Sequence, residues 1–235
     1  MRCLISAFLI VLIAGAALAA QEPGPQLPAI VTSGEAVVSR APDLAFVTVA
    51  VESRAKNPRD AQTQNAAAMT AVQQRIIAAG VTREAVRTLG YTIQQEFDFV
   101  NGRRVPREYV ARNSVEVRLE AVERVGDVID AAVQAGATAV NSIRFDLKDR
   151  AGAERDALRL AVVDARGRAD AAAAGAGRTV DRVIKIEDNR QPPSMPRPMA
   201  MDLTRASAAV AAVETPVEPG TIEIRARVTL TVTLK

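Results

Sequence analysis

Histidine and tryptophan are absent from this chain, and its single cysteine is Cys3, close to the N-terminus. A Ser-His-Asp triad, a Cys-His pair and a histidine-ligated metal centre are excluded with them. No disulfide can form within the chain, so packing alone has to hold the fold. Aromatic residues make up 3% of the sequence, too few for the stacking platforms that bind single-stranded nucleic acid. There is no excess of one charge either: with Arg2 set aside, 29 basic residues stand against 27 acidic ones, interleaved along the chain. Counterion release needs a concentrated basic face, so neither nucleic acid nor a polybasic membrane patch is expected. Lysine is scarce too, with only Lys56, Lys148, Lys185 and Lys235 to serve Ser-Lys chemistry.

What is present begins with an export pattern. Residues 1–20 combine a basic start at Arg2, an apolar run from Leu4 to Leu18, and Ala17 and Ala19 in the A-x-A arrangement that signal peptidase reads. Cleavage there, a flexible segment over 21–28 and a domain over 29–235 are expected. No second apolar run reaches the length needed to span a bilayer, so no integral membrane segment is expected after cleavage. A chain of this size can bury a proper core without a metal or disulfides.

Period-two alternation over 30–38 and 44–53 predicts two antiparallel strands joined at Ala41-Pro42-Asp43. Asn57-Pro58-Arg59-Asp60 supplies a cap, a first-turn proline and a first-turn carboxylate for a helix over 58–79 that stops at Gly80. Its apolar face is Ala61, Ala68, Met69, Val72 and Ile76. Extended segments at 86–99 and 107–119 flank Asn101-Gly102, a hairpin signal. A second helix over 122–134, a strand over 140–147, a third helix over 151–174 and a strand over 180–188 follow. Alanines 157, 161, 165, 169 and 173 put small side chains on one stripe of the third helix, suited to close approach to a sheet. Residues 191–219 read as a mobile Pro/Met-rich loop. The chain ends in long alternation over 222–234, for which 107–119 is the expected partner. The fold class is α+β, a largely antiparallel sheet with three main helices packed on it and a long C-terminal strand. Subdomains over 29–119 plus 221–235, and over 120–190, are the expected division.

These landmarks resemble the SIMPL-domain family of exported bacterial proteins. The matching residues are Thr32-Ser33-Gly34-Glu35-Ala36, Ala41-Pro42-Asp43, Asn65-Ala66-Ala67-Ala68-Met69, Ala131-Ala132-Val133 with Gly136-Ala137 and Phe145, the alanine stripe, and Pro219-Gly220. The resemblance implies a periplasmic, envelope-associated protein linked to oxidative-stress defence, with some members oligomeric. It brings no catalytic constellation to carry over, and no cofactor is called for.

Candidate sites are few. Glu96 and Asp98, two apart on a strand, can share a face as paired acids do, but no further acid joins them and a solvated strand end before the Asn101-Gly102 turn is the favoured reading. Asp43 suits a turn in which its carboxylate accepts backbone amides. Tyr91 and Tyr109 bracket the hairpin and mark a ligand groove, a subunit contact or a half-buried sheet face. Arg103, Arg104 and Arg107 place an anion-contacting patch, or a merely solubilising one, at its tip. Met195, Met199 and Met201 offer thioethers to Cu(I) or to oxidants. The leading expectation is a non-enzymatic envelope protein acting by homo-oligomeric assembly or by binding other envelope proteins. A carboxylate-dependent enzyme on envelope polysaccharide and a methionine-loop metal or oxidant module are the alternatives.

Overall fold

The computed structural model describes residues 28–189 and 215–235. Both the export segment and the methionine cluster therefore lie outside the described residues. Within them, two antiparallel sheets each carry helices on one face, an α+β architecture. Strands β1 (Ala29–Arg40), β6 (Val180–Asp188) and β7 (Ile222–Leu234) form one sheet, in the order β1-β7-β6. Strands β2 (Leu44–Ala55), β3 (Val86–Val100), β4 (Arg103–Leu119) and β5 (Ala139–Asp146) form the other, ordered β3-β4-β2-β5.

Helices start and stop where side-chain chemistry dictates. Helix α1 (Pro58–Ala78) opens with Asn57 accepting from the Asp60 amide at 2.9 Å and ends before Gly80, whose φ of +89° suits a residue without Cβ. The Arg124 guanidinium donates to the Ala79 carbonyl there, satisfying part of the helix end. Helix α2 (Val125–Gln134) follows a 3-10 turn at 122–124. Helix α3 (Arg150–Gly175) is capped by Asp149, which accepts from the Gly152 amide at 2.8 Å.

The larger core lies between the four-stranded sheet and α1 and α2, filled by Val47, Val49, Val51, Val72, Ile76, Val115, Val117 and Val128. One position on the buried face of α1 is polar. Asn65, fully buried, donates its amide to the Val51 carbonyl at 2.9 Å and the Ala111 carbonyl at 3.0 Å, stitching the helix to β2 and β4. The apolar pattern omits this position; Ala68, which it includes, is partly buried against the same core.

The smaller core depends on close approach. Alanines 153, 157, 161, 165, 169 and 173 of α3 are buried; Ala161, Ala165 and Ala169 pack with Val228, Leu230 and Val232, and Ala153 and Ala157 with Val38, Leu147 and Ile224. Opposite them stands Gly34. A Cβ there would collide with the backbone of α3 at Ala161 and Ala165, and would sit 2.7 Å from the Ala165 methyl. Asp164 of α3 also accepts the Glu35 amide of β1 at 3.0 Å, closing one hydrogen-bonding position on that exposed edge. That amide holds the Asp164 carboxyl below the usual carboxylate range, with Arg168 adding to the effect.

Two expected pairings are corrected. β1 and β2 follow one another but belong to different sheets, and β7 pairs with β1 and β6 rather than with β4. The full length of β7 is matched by β1, in register from Ala29↔Thr233 to Arg40↔Ile222. Sheet membership thus crosses the expected division of 29–119 plus 221–235 against 120–190. Where the chain passes between sheets, Asp43 ties two connections together: its carboxylate accepts the Lys148 amide at 2.7 Å and its own amide donates to the Asp146 carbonyl at 3.3 Å. Asp43 therefore accepts a backbone amide, as its setting after Pro42 suggests, but from a segment remote in sequence.

Candidate functional site

The most distinctive surface feature is the β3–β4 hairpin. Asn101 and Gly102 both have positive φ, +50° and +76°, and Val100 pairs with Arg103 across them, a two-residue primed turn. β2 accompanies β4 only as far as Ala55↔Tyr109. Beyond that point β3 continues for five residues and β4 for six without β2, a two-stranded finger about 16 Å long. Phe99 is 77% exposed, Val100 53% and Val105 42%. Arg104 lies over the Phe97 ring at 3.6 Å, and Arg107 meets Asp98 at 3.5 Å.

Pairing register decides which groups meet. β3 alternates without interruption from Tyr91 to Asp98, because the extra residue of the irregularity near Gln95 falls on β4. Tyr91 shares a face with Gln95 and with Tyr109, the cross-strand partner of Gln95, while Glu96 and Asp98 project from the opposite face. Tyr91 and Tyr109 stand about 13 Å apart along the strand. The tyrosines and carboxylates therefore do not converge.

Each carboxylate is instead claimed by arginine. Glu96 meets Arg54 at 2.6 Å and Arg112 at 3.5 Å, and Glu52 meets the same two arginines at 2.7 and 2.6 Å. This is a closed quartet on the face of the sheet turned away from α1. Its logic is cross-strand: Glu52 and Arg112 are register partners on β2 and β4. The Arg112 hydrogen bond holds the Glu52 carboxyl below the usual range against a burial penalty, and Arg54 assists. Hydrogen bonds from Arg54 to Glu96 and Glu52 raise the arginine in turn. Carboxylates so paired leave no uncompensated charge for a metal. Among the described residues no cluster of three or more acidic, histidine or cysteine groups can hold a metal ion.

Two clefts on the described surface are lined by other residues. One, of ≈ 470 Å³, lies between the β1–β2 connection and the start of α3. Its charges are satisfied internally: Asp156 meets Arg40 at 3.2 Å and Arg159 at 2.9 Å. The other, of ≈ 380 Å³, lies between the end of α1 and α2, where Asp130 accepts from the Thr215 hydroxyl at 2.6 Å. The chain does contain one Ser-x-x-Lys spacing, Ser53 to Lys56. It sits at the end of β2, where residues three apart face opposite sides, whereas the Ser-Lys pair needs the shared face of a helix. Met195, Met199 and Met201 lie outside the described residues.

A two-sheet α+β protein whose distinctive groups are sheet faces, strand edges and a projecting hairpin is the class this geometry defines. No described helix is long and apolar enough to cross a membrane. The chain belongs to the SIMPL family, described as proteins of unknown function (DUF541), which it matches over residues 30–232. Among curated relatives, the 26 kDa periplasmic immunogenic protein of Brucella melitensis is 28% identical over 187 residues, covering 77% of this chain and 74% of that protein. The uncharacterized protein YggE of Escherichia coli K12 is 26% identical over 187 residues, covering 78% and 76%.

Proposed function

We propose that this protein works in the periplasm as a non-catalytic component of the cell envelope, acting by self-assembly and by binding. Its place in oxidative-stress defence follows from the family resemblance. The export pattern at the N-terminus and the periplasmic designation of the Brucella relatives support the location. The observation that carries the mode of action is the edge strand β6. Among the described residues it pairs only with β7, which leaves its other hydrogen-bonding edge without a strand partner there. Val183, Ile184 and Ile186 on it are 40%, 55% and 52% exposed. Monomeric proteins blunt such an edge with proline, inward charge or cover. β1 has the Asp164 hydrogen bond; β6 has charged residues, Lys185 among them, and two register irregularities against β7, but no proline, and its valine and isoleucines stay exposed between the charges. A second copy adding its strand here buries both the edge and the apolar groups.

Light scattering of residues 21–235 across a concentration series tests this. Assembly gives a mass above the monomer, and Ile184→Lys, which places a charge on the edge, lowers it without changing the circular dichroism spectrum. A concentration-independent monomer refutes the assembly reading.

A further inference from the structure

The hairpin finger joins two properties at one apex. Its apex is apolar: Phe99 and Val100 precede the turn, Val105 follows it, and all three are exposed. It is also cationic, and the charge at the apex is not compensated. Arg107 has Asp98, but Arg103 has no acidic partner among the described residues, and Arg104 rests on the Phe97 ring, which leaves its charge in place. Residues 97–107 hold three arginines and one aspartate. The register decides how these are arranged. Phe99 pairs with Arg104 and shares its face, while Val100 pairs with Arg103 and shares the other. Each face of the finger thus carries an apolar residue and an arginine at nearly the same height.

A protein partner docks against one side of a strand pair and has no use for the same device on both faces. A bilayer surrounds an inserted tip on every side. Apolar side chains at the apex enter the acyl boundary, while the arginines level with them reach back along their long side chains to the headgroups on both faces, as interfacial membrane binders do. We propose that the β3–β4 finger seats in the surface of an anionic phospholipid bilayer, with Phe99 and Val100 inserted and Arg103 and Arg104 on lipid phosphates. Arginine suits the contact because its planar fork meets phosphate oxygens in pairs. This is no polybasic patch. The charge supplies orientation and the apolar apex supplies depth, which is why a nearly neutral chain can carry it.

The proposal rests on the reading of an envelope protein and names one partner for it. Residues 21–235 carry every described element, and omitting the apolar N-terminal run removes a competing route into lipid. Co-sedimentation with equimolar phosphatidylethanolamine–phosphatidylglycerol vesicles is compared with phosphatidylcholine vesicles, at low and high salt. Binding is expected to the anionic vesicles and to weaken with salt. Phe99→Ser should lower it about tenfold or more, and Arg103→Gln about fivefold. Both positions are exposed, so thermal unfolding should match the parent. Absence of binding to anionic vesicles overturns the proposal, as does binding that neither substitution changes. A loss of oligomer mass in Phe99→Ser with vesicle binding intact also overturns it, assigning the finger to a second copy. Failure on vesicles with Ile184-dependent assembly preserved leaves the assembly reading standing, so the two are separable.

Discussion

Two glycines that look alike in the sequence should respond to alanine with opposite signs. At Gly34 the added methyl would enter the backbone of α3 at Ala161 and Ala165, and neither backbone can swing aside as a flexible side chain would. Helix α3 must therefore move off the sheet by about 1 Å, and a gap of that size forfeits a quarter to a half of a dispersion contact. Six buried alanines hold the helix down. At about 0.8 kcal/mol for each buried methyl group their burial contributes about 5 kcal/mol, of which about 1–2.5 kcal/mol would be lost. The hydrogen bond from the Glu35 amide to Asp164 stretches too, adding about 1 kcal/mol. The total of about 2–4 kcal/mol is a large share of the stability of a domain this size, and should lower Tm by about 5–15 °C. Gly167 lies within α3 with nothing inside 4 Å of an added Cβ. Alanine there removes backbone freedom from the unfolded chain and should stabilise by about 0.5–1 kcal/mol. The chain has no tryptophan and two tyrosines, so urea unfolding followed by circular dichroism at the helical band is the suitable assay, and α3 is the longest helix contributing to it. If Gly34→Ala unfolds within 0.5 kcal/mol of the parent, or if Gly167→Ala is the more damaging of the two, the close-approach account of this layer is wrong.

Asn65→Ala should cost about 2–3 kcal/mol in the same assay, because two buried carbonyl oxygens lose their donor and a void opens beneath α1. Asn65→Asp should be worse at neutral pH, since a carboxylate would face those oxygens, and should recover part of the loss on acidification; equal stability of the two variants at neutral pH contradicts this. Glu52, Glu120 and Asp164 all titrate below the usual carboxylate range, through Arg112, Lys148 and the Glu35 amide respectively. A depressed folded-state pKa contributes stability that is full above the unfolded value, about 4, and is lost as pH falls through the folded values. With no histidine to titrate, Tm should be flat from about pH 7 to about 5.5 and fall only below about 4; a drop inside the flat range would count against these carboxylates as the controlling groups. Gly102→Ala should cost about 1 kcal/mol, because alanine resists a φ of +76°, with faster amide exchange confined to the finger as its signature.

Helices and the hairpin turn were legible in the sequence because their determinants are local. Asn57, Pro58 and Asp60 act within one turn of α1, and Asn101-Gly102 needs only its own backbone. Strand partners were not legible in the same way. Alternation tells which residues share a face, and several strands here alternate equally well. β4 and β7 are both long, which suggested that they pair, yet length is equally well served by β1, whose 12 residues match β7 position for position. What separates β1 from β2 is Gly34: one glycine facing an alanine stripe assigns β1 to α3. The signal was in the sequence, but only as a relation between two elements more than a hundred residues apart.

The same limit governs the acids of β3. Glu96 and Asp98 do share a face, as their spacing requires, so proximity alone gives no grounds for rejecting catalytic use. The deciding fact is which side chains the neighbouring strands bring to that face. Arg54 and Arg112 come from β2 and β4, and register, not composition, delivers them to Glu96 and Glu52. An arginine-rich sheet face with matching acids is stabilised by mutual neutralisation and is for that reason chemically quiet. It also consumes the cations nearest the body of the sheet and leaves Arg103 and Arg104, beyond the reach of any acid on β2, as the uncompensated positive charge of the hairpin. The quartet that pairs Glu96 is thus part of what makes the finger tip distinct.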